Sequence, residues 1–533
     1  WNPIGSIVDF YHWFGNQDLG IGFTYTTLKN WKPLTRDNFA TLIPGSTAQT
    51  YRMNLIESST ALNGQVFEFG VQATPIKPLP PDYHSWMTSR IASQPYKAWN
   101  RIPENIDCVL TFQPSLMPGL NAPYKVSQSY DSYVNWAHSK GIAVTTLAAC
   151  PQRFSEQSDE FATYFDEWKA LPTNVIQWPD SSGVNQYLNC GGPETLRKWN
   201  FYGWAVENVD RFGTEGIYYD GWMAGQMGCN NPAHGHGWDD GGVRQLEVPV
   251  LEGREYNHVM ALYLQDNVNS PYYAPPVAPE RPGFPRYHYW IHSWSFVPSV
   301  MGHATMWLTG EEAGYKDGGT FSGKTLGEVY GLAGLYTKCL STNWGVVNLF
   351  YPCIWEAGDP ADPATTDNQT LSMFAWLLPH GIPLGIMDYM NADRVVEIGQ
   401  IMMNFDTRRA DFTPAWRTNP YLEITFPISD EVVVATWAHP IQNRVLAVVS
   451  NLQVGIYETV ELHWKGFENP RIKDARTGAA IQVQNNTFSV SLDSESFVLL
   501  WIDSEHSGMM PGDSGFLVPW RDSYKVTVYD SEW

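Results

Sequence analysis

The stretch Gly216-Ile217-Tyr218-Tyr219-Asp220-Gly221 ends a short apolar β-type run in a carboxylate followed by glycine. In a parallel α/β barrel the C-terminal strand ends ring one mouth, so an acid placed there faces ligand and solvent instead of core. Asp-Gly is also a common turn dipeptide, so the flanks decide the reading. Pro193 to Arg211 has the pattern of an amphipathic helix, and Phe212-Gly213-Thr214-Glu215 returns the chain to a strand. Helix, short turn, strand, acid is the repeat of a barrel.

Outward from this stretch, strand-like runs alternate with helical ones from about Ile106 to Asn404. Strands are expected at Cys108–Phe112, Ile142–Leu147, Val184–Leu188, Ile217–Tyr219, Tyr287–Ile291, Thr305–Leu308, Val346–Phe350 and Leu384–Met387. Eight such units predict a (β/α)8 TIM-like barrel over residues 82–411. Before it, Trp1 to about Ala73 alternates apolar and polar residues, as in Val66-Phe67-Glu68-Phe69-Gly70-Val71-Gln72, which predicts an N-terminal β-sandwich portion within 1–81. Thr74-Pro75-Ile76-Lys77-Pro78-Leu79-Pro80-Pro81 is a stiff connector that no helix crosses. After Phe412 alternation returns at Tyr421–Phe426, Glu431–Trp437, Arg444–Ser450 and Phe497–Ile502, predicting a C-terminal β-sandwich over 412–503. Residues 504–533, rich in Gly, Ser, Pro and charge, form a tail with no assigned role.

Composition narrows the chemistry. At 533 residues the chain exceeds one small core, and about two or three domains are expected. Its 24 Trp, 28 Tyr and 24 Phe are more than packing asks, and aromatic faces stack on the C–H faces of sugar rings. A net charge of -22 excludes a basic nucleic-acid surface and favours a neutral or weakly charged ligand. No apolar run is long enough to span a membrane. The six cysteines are spread too widely for a disulfide framework and form no CxxC pair. The chain opens on Trp1 without a Met, which reads as a processed or truncated product, and the expected location is secreted or periplasmic.

Candidate chemistry lies where the strand ends converge. Thr305-Met306-Trp307-Leu308-Thr309-Gly310 stops at Glu311-Glu312, giving a second carboxylate two strands from Asp220. A pair of facing carboxylates is the apparatus of glycosidic cleavage: one as nucleophile or base, the other protonating the leaving oxygen. A solvated loop pair that caps the next helix has the same sequence. His292, Trp222, Trp294 and Asp388 follow other strands and suit contacts to a carbohydrate, with Trp307 and Trp355 as further walls. The loop Cys229 to Asp240 gathers Cys229, His234, His236 and Asp239. Zinc accepts such a set, but the glycines and proline also suit a loop over a sugar ring, and the expectation is that His234 and His236 contact substrate with no metal or cofactor.

The order Trp13-Phe14-Gly15-Asn16, Gly20-Ile21-Gly22-Phe23, Ala73 to Pro78, Gly216 to Gly221 and Leu308 to Glu312 resembles bacterial glycoside hydrolases of the family 123-like group. That resemblance implies a β-sandwich, a (β/α)8 barrel and a C-terminal β-domain. The barrel is also similar to those of retaining α-galactosidases and α-N-acetylgalactosaminidases, which implies Asp220 as nucleophile and Glu311 or Glu312 as acid/base. Family 123 enzymes use an adjacent Asp-Glu pair with the substrate's acetamido group as nucleophile, and here Gly221 follows Asp220. The expected function is a retaining two-carboxylate glycoside hydrolase. The alternatives are a non-catalytic carbohydrate-binding or structural protein, and a metal-dependent hydrolase using the Cys229 to Asp240 loop.

Overall fold

The computed structural model describes residues 11–504 apart from connecting segments. The longest of these are 32–39, 92–105, 112–127, 178–184, 221–227, 267–287, 311–324 and 352–362, with shorter ones such as 149–152, 294–295 and 387–389. Its centre is an eight-stranded, all-parallel sheet. The strands are β1 (Arg90–Ile91), β2 (Cys108–Thr111), β3 (Ala143–Ala148), β4 (Gly216–Asp220), β5 (His288–His292), β6 (Met306–Thr309), β7 (Val347–Phe350) and β8 (Gly385–Ile386). Each pairs with its successor from β1 to β7, and β8 pairs with β1. A parallel bridge from Phe350 to Leu384, with the Phe350 amide donating to the Pro383 carbonyl at 2.8 Å, joins β7 to the start of β8, so the sheet curls until its end strands meet.

Helices fill the connections, among them Gln128–Ser139, Val250–Asp266, Pro363–Leu377 and Ala392–Phe405. Strands β5, β6 and β7 are buried at every residue, His288, His292, Thr309 and Asn348 included, as strands must be when one face meets helices and the other meets side chains inside the curl.

One expected strand is misplaced. Asn185–Leu188 pairs antiparallel with Val175–Gln177 and Arg153–Ser155 in a separate three-stranded sheet between β3 and β4. Its alternating half-buried and buried residues mark a strand with one wet face. The missing place is taken by Arg90–Ile91, too short to show any periodicity. These two errors cancel in the count, so Asp220 still ends the fourth strand.

Strand β4 is fixed tightly at its lower end. A Cβ built on Gly216 would sit 2.0 Å from the His288 carbonyl oxygen, so only glycine admits the β5 backbone at this register. Just before it, buried Glu215 accepts the Val144 amide of β3 at 2.7 Å and meets His138 Nε2 of helix Gln128–Ser139 at 2.8 Å. One carboxylate thus ties β3, β4 and a covering helix.

Around the sheet lie antiparallel layers. Tyr11–Gly15, Gly20–Tyr25 and Phe69–Thr74 form a three-stranded sheet that docks through Trp13 against Trp344 and through the Ile76 amide on the Trp344 carbonyl. The C-terminal region holds a six-stranded and a three-stranded antiparallel sheet, with Val434, Val445, Leu500, Leu462 and Phe488 in one apolar cluster drawn from both. It is locked to helix Ala392–Phe405 by buried Glu397, which receives Arg476 at 3.1 and 3.2 Å and Arg394 at 2.8 Å.

The Glu215 tie has a pH signature. Hydrogen bonding to Glu215 raises the His138 pKa above its ordinary 6.5. A raised folded value means that the pair stabilises fully below the ordinary pKa and is lost as pH rises through the folded one. Glu215→Gln is expected to cost about 1–3 kcal/mol in urea unfolding at mildly acidic pH. It should also abolish the loss of stability expected of the parent as pH rises through the raised His138 pKa.

Candidate functional site

Two interior side chains come from β4. The Tyr219 hydroxyl meets Tyr256, and the Tyr289 hydroxyl donates to Asn257, both on helix Val250–Asp266, so these tyrosines face outward. Strand alternation then puts Tyr218 and Asp220 on the inner face of β4 and His292 on that of β5. The register pairs Asp220 with His292 directly.

His292 Nδ1 lies 3.2 Å from Asp220 Oδ1 and 2.8 Å from the Tyr218 hydroxyl. The Tyr351 ring, just past β7, is 5.8 Å from the imidazole. His292 is 8% exposed, whereas the Asp220 side chain is 40% exposed. The carboxylate therefore opens to solvent on one side and is braced from behind by a buried ring. Such a group can serve as nucleophile, as base, or as an acceptor for ligand hydroxyls.

Of the residues expected around Asp220, only His292 is seen beside it. Glu311, Glu312, Trp222, Trp294, Trp355 and Asp388 lie outside the described residues. The chain is described as far as Gly310, in the left-handed region at φ +108° with the Phe350 ring against it, immediately before Glu311. Trp307 is not a subsite wall: it is 2% exposed, packs on Phe296 and Trp344, and donates Nε1 to the Ser293 carbonyl at 3.1 Å.

His234 and His236 turn their rings to sulfur. His234 Nδ1 is 3.5 Å from Cys229 Sγ, and His236 Nδ1 is 3.1 Å from Cys190 Sγ. The potential ligand atoms of Cys190, Cys229, His234 and His236 lie within 4.8 Å of one another. Asp239, the fourth donor suggested by the sequence, is instead exposed and pairs with Arg244 at 3.3 Å. Cys190 hydrogen-bonds Cys229 and draws that thiol down, while Cys190 is itself pushed up by the same bond and by burial.

Three participants escaped the sequence reading. Tyr218 stands two residues before Asp220, and period-two alternation alone puts both on one face. Tyr351 follows a strand that was recognised. Cys190 sits in Cys190-Gly191-Gly192 directly after a strand, 39 positions from Cys229 by numbering, where no spacing rule connects them.

No family model matches this chain, and no curated protein matches it. Solved structures similar to it include glycoside hydrolases. An α-amylase from Anoxybacillus shares 10% identity with a TM-score of 0.48, covering 80% of this chain and 99% of that one. A β-L-arabinopyranosidase from Geobacillus stearothermophilus shares 10% identity with a TM-score of 0.43, covering 80% and 99%. The α-galactosidase I of Mortierella vinacea shares 10% identity with a TM-score of 0.40, covering 76% and 89%. Likeness at this level assigns no activity to the chain.

Tyr218→Phe removes the hydroxyl from His292 Nδ1 while keeping the ring. It should lower stability by about 0.5–1.5 kcal/mol in urea denaturation. An unchanged midpoint would mean that the Tyr218 hydroxyl does not hold the imidazole.

Proposed function

We propose that this chain is a glycoside hydrolase with Asp220 as the nucleophile of a retaining, two-carboxylate mechanism and Glu311 or Glu312 as acid/base. In this reading the curled sheet is a (β/α)8 barrel over 82–411, preceded by a β-sandwich portion and followed by a C-terminal β-sandwich at 412–503. The observation that carries it is the half-exposed Asp220 carboxylate at the C-terminal end of β4, braced by buried His292. Ligands meet a parallel barrel on that face, and β6 ends on the same face two positions before Glu311-Glu312.

The chemistry follows from the charges. Asp220 attacks the anomeric carbon while the glutamic acid protonates the departing oxygen; water, deprotonated by the same glutamate, then releases the sugar. His292, itself held by the Tyr218 hydroxyl, keeps the carboxylate on its line of attack, which matters because small misplacements are costly in rate. A neutral sugar chain suits a protein of net charge -22. A secreted or periplasmic setting, where such polymers occur, is part of the proposal. Among the described residues no helix is long and apolar enough to cross a bilayer.

The test is turnover of a panel of neutral aryl α- and β-glycosides and oligosaccharides. Asp220→Asn should abolish turnover, and azide should restore a glycosyl azide product in Asp220→Ala. One of Glu311→Gln and Glu312→Gln should lower kcat about 10²–10⁴-fold on substrates with poor leaving groups and much less on activated ones. Full activity in Asp220→Asn, or binding of glycans without any turnover by the parent, sinks the proposal.

A further inference from the structure

We propose that Cys190, Cys229, His234 and His236 bind a structural zinc ion that staples the loop after β4 to the excursion between β3 and β4. This is independent of the assignment of Asp220.

The donors are the first argument. Two thiols and two imidazoles converge from separate segments, with one ligand atom of each, a sulfur or a ring nitrogen, within 4.8 Å of the others. The two measured sulfur to nitrogen separations, 3.5 and 3.1 Å, are close to the edge of a tetrahedron with Zn–S about 2.3 Å and Zn–N about 2.0–2.1 Å, roughly 3.5 Å. Soft thiolates with imidazoles select zinc over magnesium or calcium, which want oxygen.

The surroundings are the second argument. A metal-bound imidazole usually donates its remote N–H to a carbonyl or carboxylate, which fixes the tautomer. His234 Nε2 lies 2.7 Å from the Glu167 carbonyl oxygen, within hydrogen-bond reach, while His236 Nε2 faces the Glu252 carboxylate at 3.6 Å, an ion-pair distance too long for a hydrogen bond. Both Nδ1 atoms are thereby left for the metal. Each sulfur also receives a backbone amide from two residues on: Gly192 to Cys190 and Asn231 to Cys229, both at 3.4 Å. Turns that aim amides at sulfur disperse the negative charge of thiolates and serve little purpose for neutral thiols. Gly192 is confined here, because an added Cβ would meet the His236 ring at 2.3 Å.

The third argument is what the loop lacks. Among residues 228–247 the buried ones are Gly228, Cys229, Asn231 and His236. Among the described residues the apolar cluster at this point holds Ala170, Leu188, Cys190 and Cys229. For the described part of the loop, residues 228–247, so little buried surface is a weak source of order, and small units with insufficient core are commonly held by disulfides or metals. Four protein donors fill a tetrahedron and leave no open position for water, so the ion is a staple and not a catalytic metal.

The measurement is metal content of the full chain, purified under reducing conditions without chelator, by plasma mass spectrometry. About one zinc per chain is expected, as purified or after adding zinc to the reduced protein. Cobalt should give the visible bands of tetrahedral coordination with thiolate charge transfer. Cys190→Ser and His236→Ala should lose metal and cobalt bands, whereas Asp239→Ala should keep both. Should the cysteine variant not fold, the parent treated with chelator and then returned to zinc supplies the same comparison, with protection of Cys190 and Cys229 from alkylation as the readout. A chain that takes up no zinc in either state overturns the proposal. So does a Cys190–Cys229 disulfide found by thiol counting in denaturant, or retention of metal by Cys190→Ser.

Discussion

The parallel register between β4 and β5 is the constraint on which the candidate site depends. It is set at the lower end, where Gly216 lets the His288 carbonyl approach closer than any side chain would permit. The pairing then runs without a slip from Gly216 with His288 to Asp220 with His292. A shift of one residue would turn Asp220 toward the helices and bring Tyr219 inward. The geometry at the mouth is thus decided at Gly216, at the other end of the strand from Asp220, by an atom that is absent. Glu215 adds to this from the other flank, because its carboxylate holds β3 and a helix to the same strand.

The two carboxylates bounding β4 show how burial divides labour within one short segment. Glu215 has a side chain 4% exposed and is surrounded by a backbone donor and an imidazole, which is a structural arrangement. Asp220 has a histidine behind it and solvent in front. Both face histidines at similar distances, 2.8 and 3.2 Å, so partner chemistry does not separate them; position along the strand and access to water do. Glu397 repeats the first solution, with two arginines around a buried carboxylate joining helix and C-terminal sheets. Leaving such a charge unpaired would cost several kcal/mol, on the order of 3–5, so the joint between these layers is strict about its partners.

Much of this was legible in the chain. Largely apolar runs such as Met306–Thr309 and Val347–Phe350 announce strands covered on both faces, and Asp220 is visible because a carboxylate and a glycine interrupt such a run. Asn185–Leu188 misled because a strand's type shows in its pattern, whereas the sheet it joins depends on partners far away in sequence. Arg90–Ile91 could not be read at all: two residues hold no period, and their pairing comes from the neighbours on either side. The cysteine and histidine cluster was half legible. Cys229, His234 and His236 share one short loop, but the fourth donor arrives from another segment, so the nearest acid in sequence, Asp239, took its place in the reading. Local sequence supplies candidates, and only the fold decides which of them meet.

The position of that cluster alters how a common biochemical observation must be interpreted. Its donors sit on the two excursions that leave the C-terminal ends of β3 and β4, next to the strand that carries Asp220. With the proposed ion in place, a chelator would slacken loops at the rim and leave the parallel sheet below intact, so the proposed turnover would vanish while the spectrum of a folded protein persists. Inhibition of that kind is ordinarily taken as the mark of a metallohydrolase. In this molecule it would be evidence about architecture, and the reacting centre could still be wholly organic.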